Sequence, residues 1–309
     1  MISALSRLSS LVLVACVAAC GGGGGGGGGS SAPQHLYVGD DAASSGSPLF
    51  AQLTLPLTPT STPTVSVASS VASPNAMSLA VDGSGNVVTG SSTGRLSVFS
   101  PPLTSSSTSS ANFNNGASPV NTGQLAFGPG GKLFASDGSV NVNIFNPPLT
   151  GSSTASSSVT DASLTDTTGV AFDGSGNLYV ANSGTSGSTL SVFASPYTGA
   201  ATVVTPSVST AAYRKIAIRG TQLFVGDIGT PNEIDVYNLP LTSSSAPAFS
   251  IGSVDRPEAL SFDSGGNLYV GNLGDTKIRV FAPPFSASST PSVTFTAPVS
   301  QLFGLIVGN

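Results

Sequence analysis

Apolar and polar positions follow a pattern that recurs five times along this chain. Each copy has an apolar triplet, a glycine-rich turn and a second apolar triplet, and the copies begin at Leu79, Leu125, Val170, Ile216 and Leu260. The second triplets start at residues 87, 133, 178, 223 and 268, which gives a period of 45 or 46 residues. A fixed period of this length is typical of a repeat architecture.

The residues after each second triplet predict two further strands. Segments such as Leu96–Phe99 and Ile278–Phe281 alternate with a period of two, whereas helical repeats need a period of about 3.6 residues. Each of these strands ends in an aromatic residue and a proline-containing corner, and a weaker apolar segment, for example 202–205 or 293–296, closes the unit. Four short strands in about 45 residues form one blade of a β-propeller, so the pattern predicts an all-β fold of four-stranded antiparallel blades.

The two ends of the chain complete each other and set the number of blades. The N-terminal unit starts at a second strand, Leu36–Val38, and runs to Val65–Val67 without a first strand. After the fifth complete unit the chain has a first-strand sequence, Phe303–Val307. We therefore predict a six-bladed β-propeller whose ring closes when strand 303–307 joins the N-terminal strands within residues 36–67, which removes the exposed sheet edges of an open array.

The first twenty residues have the layout of a bacterial signal peptide. Arg7 precedes an apolar run at residues 8–19, which is shorter than the roughly 20 apolar residues that span a bilayer. Val17–Cys20 resembles a lipobox, and this resemblance implies cleavage before Cys20 and lipidation of its thiol, with stable anchoring by two or more acyl chains. The alternative is an ordinary secretory signal in which Cys20 is incidental.

These features divide the chain into a lipoprotein signal peptide at 1–19, a lipidated Cys20 with a glycine-rich tether at 20–34, and a propeller at 35–309. The nine consecutive glycines at 21–29 can bury nothing, so this segment predicts a flexible tether. Cleavage would remove Cys16 and leave one cysteine, so no disulfide is expected within the chain. The expected location is the cell envelope, with the protein exported, membrane-anchored through its lipid, and facing the periplasm or the exterior.

The repeated unit resembles a known family of propeller repeats. Val170–Asn182, with its Asp-Gly-Ser-Gly-Asn turn between two apolar triplets, resembles an NHL repeat, and the ring is similar to the superfamily that includes gluconolactonase-type propellers. The resemblance covers residues 35–309 and implies the six-bladed fold. It does not single out a function, because that superfamily includes lactonases, lyases, RNA binders and protein-interaction modules.

The amino-acid composition argues against several classes of partner and catalytic site. Only 7% of the residues are charged and the formal net charge is −5, so a nucleic-acid partner, which needs an extended basic surface, is not expected. The basic residues Arg214, Lys215 and Arg219 are expected to form a small local cluster. His35 is the sole histidine and lies at the boundary of the tether, which argues against a Ser-His-Asp triad and against a zinc site. We therefore assign no catalytic residue and lean against an enzyme.

The loops fall into two groups when they are placed on a propeller. First-to-second and third-to-fourth turns lie on one face and repeat almost unchanged, as in Asp82–Asn86, so backbone geometry accounts for them. Second-to-third loops and blade connections lie on the other face and vary, so a site is expected there. Its candidate ligand-contacting residues are Thr168, Arg214, Lys215, Arg256 and Gln301. An Asp or Asn recurs after the second strand, and these side chains are expected to cap the loops: Asp40, Asp137, Asn182, Asp227 and Asn272.

The gluconolactonase resemblance implies a divalent ion in the mouth of the central channel, held by Glu, Asn and Asp side chains. Oxygen ligands of this kind suit a hard cation such as Ca²⁺. The matching region offers Glu258, Asp255, Asn75 and Asn121, with Asp166 as a further candidate. The chain departs from the family pattern in one respect, because the family's opening Glu has no counterpart before Leu36.

Two functions of different classes remain open, and a third possibility is a structural domain that binds no ligand. The leading hypothesis is a monomeric, cofactor-free binding or scaffold module on the cell envelope that presents its variable face to a protein or glycan. The alternative is a calcium-dependent lactonase or hydrolase of the gluconolactonase type, which needs at least three oxygen side chains to converge at the channel mouth. A surface-structural domain without a ligand would suit the Ser/Thr-rich corners, such as residues 105–110.

Overall fold

The computed structural model describes residues 33–43, 47–70, 74–116, 121–184, 187–206 and 211–309. The predicted signal peptide at 1–19 and Cys20 lie outside the described residues. The described part contains one 3₁₀ turn, Pro129–Gly131, and no helix long and apolar enough to cross a membrane. Its strands, numbered in chain order, are β1 (His35–Asp40), β2 (Pro48–Thr54), β3 (Val65–Ala68), β4 (Ser78–Val81), β5 (Val87–Gly90), β6 (Arg95–Phe99), β7 (Ala111–Asn114), β8 (Leu125–Phe127), β9 (Leu133–Ser136), β10 (Asn141–Phe145), β11 (Ser157–Thr160), β12 (Thr167–Phe172), β13 (Leu178–Gly184), β14 (Gly187–Phe193), β15 (Thr202–Val204), β16 (Tyr213–Arg219), β17 (Gln222–Asp227), β18 (Glu233–Asn238), β19 (Phe249–Ile251), β20 (Pro257–Phe262), β21 (Leu268–Asn272), β22 (Lys277–Phe281), β23 (Val293–Thr296) and β24 (Leu302–Gly308).

The strands form six antiparallel sheets of four, and each sheet is one blade. Blade 1 is β24-β1-β2-β3, and blades 2 to 6 follow in chain order as β4–β7, β8–β11, β12–β15, β16–β19 and β20–β23. The first strand named in each blade packs against the first strands of both neighbouring blades, so that six inner strands surround a central channel. The predicted all-β, six-bladed β-propeller is confirmed.

Blade 1 is built from both ends of the described chain. Strand β24 pairs with β1 in antiparallel register, with Val307 opposite Leu36 and Leu305 opposite Val38. Strand β24 also packs against β4 of blade 2 and β20 of blade 6, so it is an inner strand like the others. The closing strand predicted at 303–307 is therefore confirmed, and its observed bounds are one residue wider at each end.

The hydrophobic core is divided into six wedges, one between each pair of neighbouring blades. The wedge between blades 6 and 1, for example, joins Ile278 and Tyr269 to Leu36 and Val38, all of them buried. Aromatic rings meet edge to face across the wedges, as Phe50 and Phe99 do between blades 1 and 2, with centroids 5.2 Å apart. Blades thus adhere mainly by burying apolar side chains, since neighbouring inner strands belong to different sheets.

The repeated turns have the structural role expected from their sequence. In the Asp82 turn, the carboxylate accepts the backbone N–H groups of Ser84 and Asn86, both at 2.8 Å. In the third-to-fourth corner of blade 2, the Thr104 N–H donates to the Ser107 hydroxyl at 2.9 Å. The same corner bond joins Thr58 to Ser61, Thr150 to Ser153, Thr242 to Ser245 and Ser286 to Ser289. Local hydrogen bonding therefore explains why these segments repeat.

Deleting residues 303–309 should destabilise the whole domain. The deletion removes the inner strand of blade 1, so it exposes the buried faces of β1 and β20 and opens the ring. We expect loss of cooperative unfolding, or a melting temperature lower by more than about 10 °C, when thermal unfolding is followed by circular dichroism. Deletion of Asn309 alone, which leaves β24 intact, is the matched control. Equal melting temperatures for the two deletions would contradict the closing role of β24.

Candidate functional site

Contacts between loops distinguish two faces of the disc. Asn75, in the connection between blades 1 and 2, donates to the Asp41 carboxylate at 2.8 Å and to the Ser92 hydroxyl at 2.7 Å, and both partners lie in second-to-third loops. On the other side, the Gln34 side chain accepts the N–H of Ser264, in a first-to-second turn, at 2.9 Å. We call the first the mouth face and the second the corner face. This division of the loops follows the expectation from the sequence.

Bulges interrupt four of the inner strands at the end that reaches the mouth face. One residue is extra in each of β24, β12 and β20, namely Phe303, Thr168 and Glu258. In β16, the two residues Arg214 and Lys215 oppose a single residue of β17. A bulge re-aims side chains and is common beside binding sites. The bulges therefore bring the candidate residues of three blades to the channel mouth.

Glycine in the neighbouring strand is the sequence signal that accompanies these bulges. A Cβ atom on Gly226 would lie 2.4 Å from the carbonyl oxygen of Pro257, and one on Gly39 would lie 2.4 Å from that of Ala76. Both glycines end a second strand, where the connection of the next blade approaches closely. An isolated glycine in a strand pattern indicates a bulge or a close backbone approach. That signal was available in the sequence and was missed.

The channel lumen is crossed by two side chains. The Gln124 amide of blade 3 donates to the carbonyl of Ile216 at 2.9 Å and accepts the N–H of Ile216 at 3.0 Å and of Val170 at 3.2 Å. In the opposite direction, the Lys215 ammonium of blade 5 donates to the carbonyl of Gly123. Blade 4 has Gly169 between them, where a Cβ atom would lie 2.5 Å from the Arg214 carbonyl oxygen. Polar side chains of blades 3 and 5 therefore span the lumen.

Lys215 is a buried amine with unusual electrostatics. Its residue surface is only 7% exposed, and burial lowers the pKa of the ammonium to about 8. The charges of Glu258 and Asp41 raise this pKa, while the charge of Arg214 lowers it further. A buried charge of this kind costs free energy unless it is compensated. Lys215 is thus the most perturbed cation of the mouth region.

Arg214 and Glu258 form an ion pair between blades 5 and 6. Arg214 Nε lies 3.5 Å from Glu258 Oε1, and it makes no hydrogen bond within the described residues. The Glu258 side chain is 4% exposed and that of Arg214 is 30% exposed. Burial raises the pKa of Glu258, and the positive charges of Arg214, Lys215 and Arg256 oppose that shift. Nε of Arg214 is therefore a buried donor without a hydrogen-bond partner among the described residues, while another part of the side chain is exposed at the mouth.

The remaining candidate ligand-contacting residues differ in their hydrogen bonds and in their exposure. The Thr168 hydroxyl is committed to the carbonyls of Tyr213 at 3.1 Å and Arg214 at 3.2 Å, so it bridges blades 4 and 5. Gln301 contributes its backbone, since its N–H donates to the Asp40 carboxylate at 3.0 Å. Arg256 is exposed, at a positive φ of 52°, in the loop before β20. The structure thus brings Thr168, Arg214 and Lys215 together and leaves Arg256 free on the surface.

Two of the four candidate metal ligands, Glu258 and Asn75, have side-chain partners of their own. Glu258 faces Arg214. Asn75 joins Asp41 to Ser92, and its side-chain oxygen Oδ1 accepts the Ser92 N–H at 3.0 Å. Asn121 lies against Gly138, and Asp255 lies against Gly274. In the part of the chain that the structure describes, no group of three or more His, Cys, Asp or Glu side chains is arranged to hold a metal ion. Calcium ligation by these four residues stays a prediction.

The recurring Asp and Asn residues after the second strands cap loops, as expected. The Asp40 carboxylate accepts the N–H groups of Ala42 and Ser300, at 3.0 and 2.8 Å, so it also joins β1 to the segment before β24. The Asp227 carboxylate accepts the N–H groups of Ala212 and Gly229, both at 2.7 Å. Equivalent bonds to nearby main chain or side chains are made by Asp137, Asn182 and Asn272.

One expectation about charged residues is wrong, and one charged residue was missed. Arg219 does not cluster with Arg214 and Lys215, because it ends β16 on the corner face and stacks over the Phe285 ring at 5.9 Å. Five residues of extended strand separate Arg219 from Arg214, about 16 Å at 3.3 Å per residue. Asp41 was not among the candidates, yet its burial raises the pKa of its carboxyl, with Asp40 acting in the same sense and Lys215 opposing it. Nothing in the sequence of the Asp41 loop signals its electrostatic coupling to Lys215.

Comparisons with known proteins agree with this architecture. No family model matches the chain, and no curated protein matches its sequence. A structure from a nidogen/laminin complex matches with a TM-score of 0.66 and 15% identity, covering 89% of this chain and 98% of that chain. A protein from Lactobacillus plantarum matches with a TM-score of 0.61 and 15% identity, covering 90% of this chain and 100% of that chain. A Bacteroides fragilis protein, provisionally named a 6-phosphogluconolactonase, matches with a TM-score of 0.61 and 14% identity, covering 92% and 100%. Likeness at these identities establishes the fold alone.

Replacing Lys215 with Met should change how stability depends on pH. The pKa of Lys215 is about 8 in the folded chain against 10.5 for a free lysine, so the unfolded chain binds more protons between these values. The unfolding free energy of the wild type, relative to Lys215→Met, should therefore rise by about 2 kcal/mol from pH 7 to pH 9.5. Urea unfolding in halide-free buffer measures this difference. The control is Lys132→Met, which removes an exposed lysine. A difference that does not vary with pH would contradict the buried-ammonium description.

Proposed function

We propose that this chain is a binding module of the cell envelope that presents its mouth face to a partner, with a protein favoured over a glycan. The observation that carries the proposal is the position of the two ends of the described chain. Both of these ends lie on the corner face, so neither of them covers the mouth face. The proposal assigns no catalytic residue and requires no cofactor.

The position of the ends follows from their contacts. The carbonyl of Gln34 accepts the N–H of Leu55, which leads into a third-to-fourth corner, at 2.9 Å. The carbonyl oxygen of Asn309 lies 3.4 Å from the Cβ position of Gly85, in a first-to-second turn. A tether at residues 20–34 attached to a membrane through Cys20 would hold the corner face toward that membrane. Membrane attachment itself stays a prediction from the sequence.

The chemistry of the mouth face suits a polar protein surface. Arg214 and Arg256 have exposed parts there, and arginine is enriched in protein interfaces because its planar fork donates several hydrogen bonds. Val140, in the second-to-third loop of blade 3, is 50% exposed, and no other large hydrophobic residue of the described ranges is exposed. Among the similar solved structures, one is named as a complex of two proteins, nidogen and laminin. These features favour a protein partner on this face.

Two single-charge variants on opposite faces test the proposal. Arg214→Ala removes a cation from the mouth face, and Lys132→Ala removes one from the corner face. A partner identified by crosslinking to the mature chain in envelope preparations is purified, and its affinity for each variant is measured by calorimetry. We expect Arg214→Ala to weaken binding about tenfold, the effect of a central interface arginine, and Lys132→Ala to leave it unchanged. Equal affinities, or a crosslink confined to the corner face, would overturn the proposal.

A lactonase is the second candidate, and Glu258 is the observation that favours it. Glu258 is a buried carboxyl group of raised pKa at the channel mouth, and perturbed groups of this kind concentrate at functional sites. One structurally similar protein has a provisional lactonase name. Against this candidate, Glu258 already faces Arg214, and Asn75 is committed to neighbouring loops.

Calcium titration of the mature chain separates the two candidates. The lactonase candidate predicts heat of binding and a raised melting temperature, both abolished in Glu258→Gln, which keeps the shape and removes the charge. The binding-module proposal predicts no heat at millimolar calcium. Asp82→Asn, which alters a turn carboxylate on the corner face, is the matched control.

A further inference from the structure

The channel lumen contains one small cavity of about 20 Å³. Four of the six inner strands contribute to its wall, together with Gln124 just before β8. Its polar lining residues are Ser78, Gln124 and Lys215, while Phe303 and Leu79 add apolar surface. A cavity needs about 10 to 15 Å³ in this measure to hold one water molecule. The space therefore has room for a water molecule or for a monatomic ion of similar size.

Ser78 lines this cavity, and its hydroxyl is unused. The residue is 2% exposed, and its Oγ atom has no hydrogen-bond partner among the described residues. Nine in ten or more buried polar groups have a partner, and a buried hydroxyl without one costs free energy. The hydroxyl can donate its proton, so a species that accepts hydrogen bonds fits beside it.

Lys215 presents unused donors to the same cavity. Its ammonium has three N–H groups, and the carbonyl of Gly123 is the single acceptor bonded to Nζ within the described part of the chain. No Asp or Glu oxygen of the described residues lies within 4.0 Å of Nζ. The carboxylates that influence it, Glu258 and Asp41, are engaged by Arg214 and Asn75. The ammonium is thus buried without an ion-pair partner.

We propose that the lumen cavity is a binding site for one monatomic anion of the size of chloride, held by the Lys215 ammonium and the Ser78 hydroxyl. An anion accepts hydrogen bonds from both groups and supplies the compensating charge that a water molecule lacks. Ser78 belongs to blade 2 and Lys215 to blade 5, which face each other across the ring. The bound anion links these opposite blades and stabilises the closed ring. The inference does not rest on the proposed partner binding at the mouth face.

Thermal unfolding of the mature chain in chloride tests the site. Sodium chloride replaces sodium methanesulfonate, whose anion is larger than chloride, at constant ionic strength. At chloride ten times above its dissociation constant, the melting temperature should rise by about 3 °C. The response should vanish in Lys215→Met and shrink in Ser78→Ala. The chloride response of each variant is the difference between its own melting temperatures at high and low chloride. A change in stability caused by the substitution itself therefore does not affect the comparison.

Crystals grown or soaked in bromide locate the ion. Bromide scatters anomalously, and the proposal expects a peak within about 3.5 Å of both Lys215 Nζ and Ser78 Oγ. Lys132→Met, which removes an exposed lysine, should retain the wild-type chloride response. An equal response in wild type and Lys215→Met would overturn the proposal. A lumen site without anomalous signal, which identifies the occupant as water, would overturn it as well.

Discussion

The inner edge of each blade is the constraint on which this fold depends. Neighbouring inner strands do not pair, so their edge N–H and C=O groups face the lumen, where an unpaired backbone group costs free energy. Side chains from other blades supply the partners. The Gln124 amide serves β12 and β16, and the Thr168 hydroxyl serves β16. The Ser261 hydroxyl accepts the N–H of Val307 at 3.0 Å across the seam of blades 6 and 1. The ring is held by apolar wedges and by these inter-blade bonds together.

The candidate site is a consequence of the same constraint. Bulges that let the inner strands close around the lumen also place Arg214, Lys215 and Glu258 side by side in β16 and β20. Closure buries these charges, and burial is the main cause of the shifted pKa values of Lys215 and Glu258. In a chain with few charges, their concentration at one end of the channel gives the two faces of the disc different chemistry. The corner face has repeated hydroxyl turns, and the mouth face has the charges that vary from blade to blade.

Much of the fold was predictable because its signals are local. The Asp82 and Thr104 turns are specified by residues within four positions of each other, so their repetition reveals the strands between them. The site was predictable only in part. Thr168, Arg214, Lys215 and Glu258 could be named as candidates because they lie in variable blade connections just before the predicted inner strands. Their roles were not predicted, since the Thr168 hydroxyl bonds to backbone carbonyls and Glu258 faces an arginine. Gln124, which joins three blades, lies in a segment whose pattern gives no sign of that role.

The sequence by itself determined the strands, the turn chemistry, the number of blades and the pairing of the two chain ends, since each of these rests on periodicity and on short-range hydrogen bonds. Only the tertiary structure decided which side chains share the lumen and the mouth. Gln124 and Ile216 are 92 residues apart and meet because a ring brings the inner strands of distant blades together. Arg219 lies away from Arg214 because the extended strand β16 carries the chain from the mouth face to the corner face between them. Distance along the chain carries no information about these contacts, because they depend on how six rigid sheets pack around a common axis.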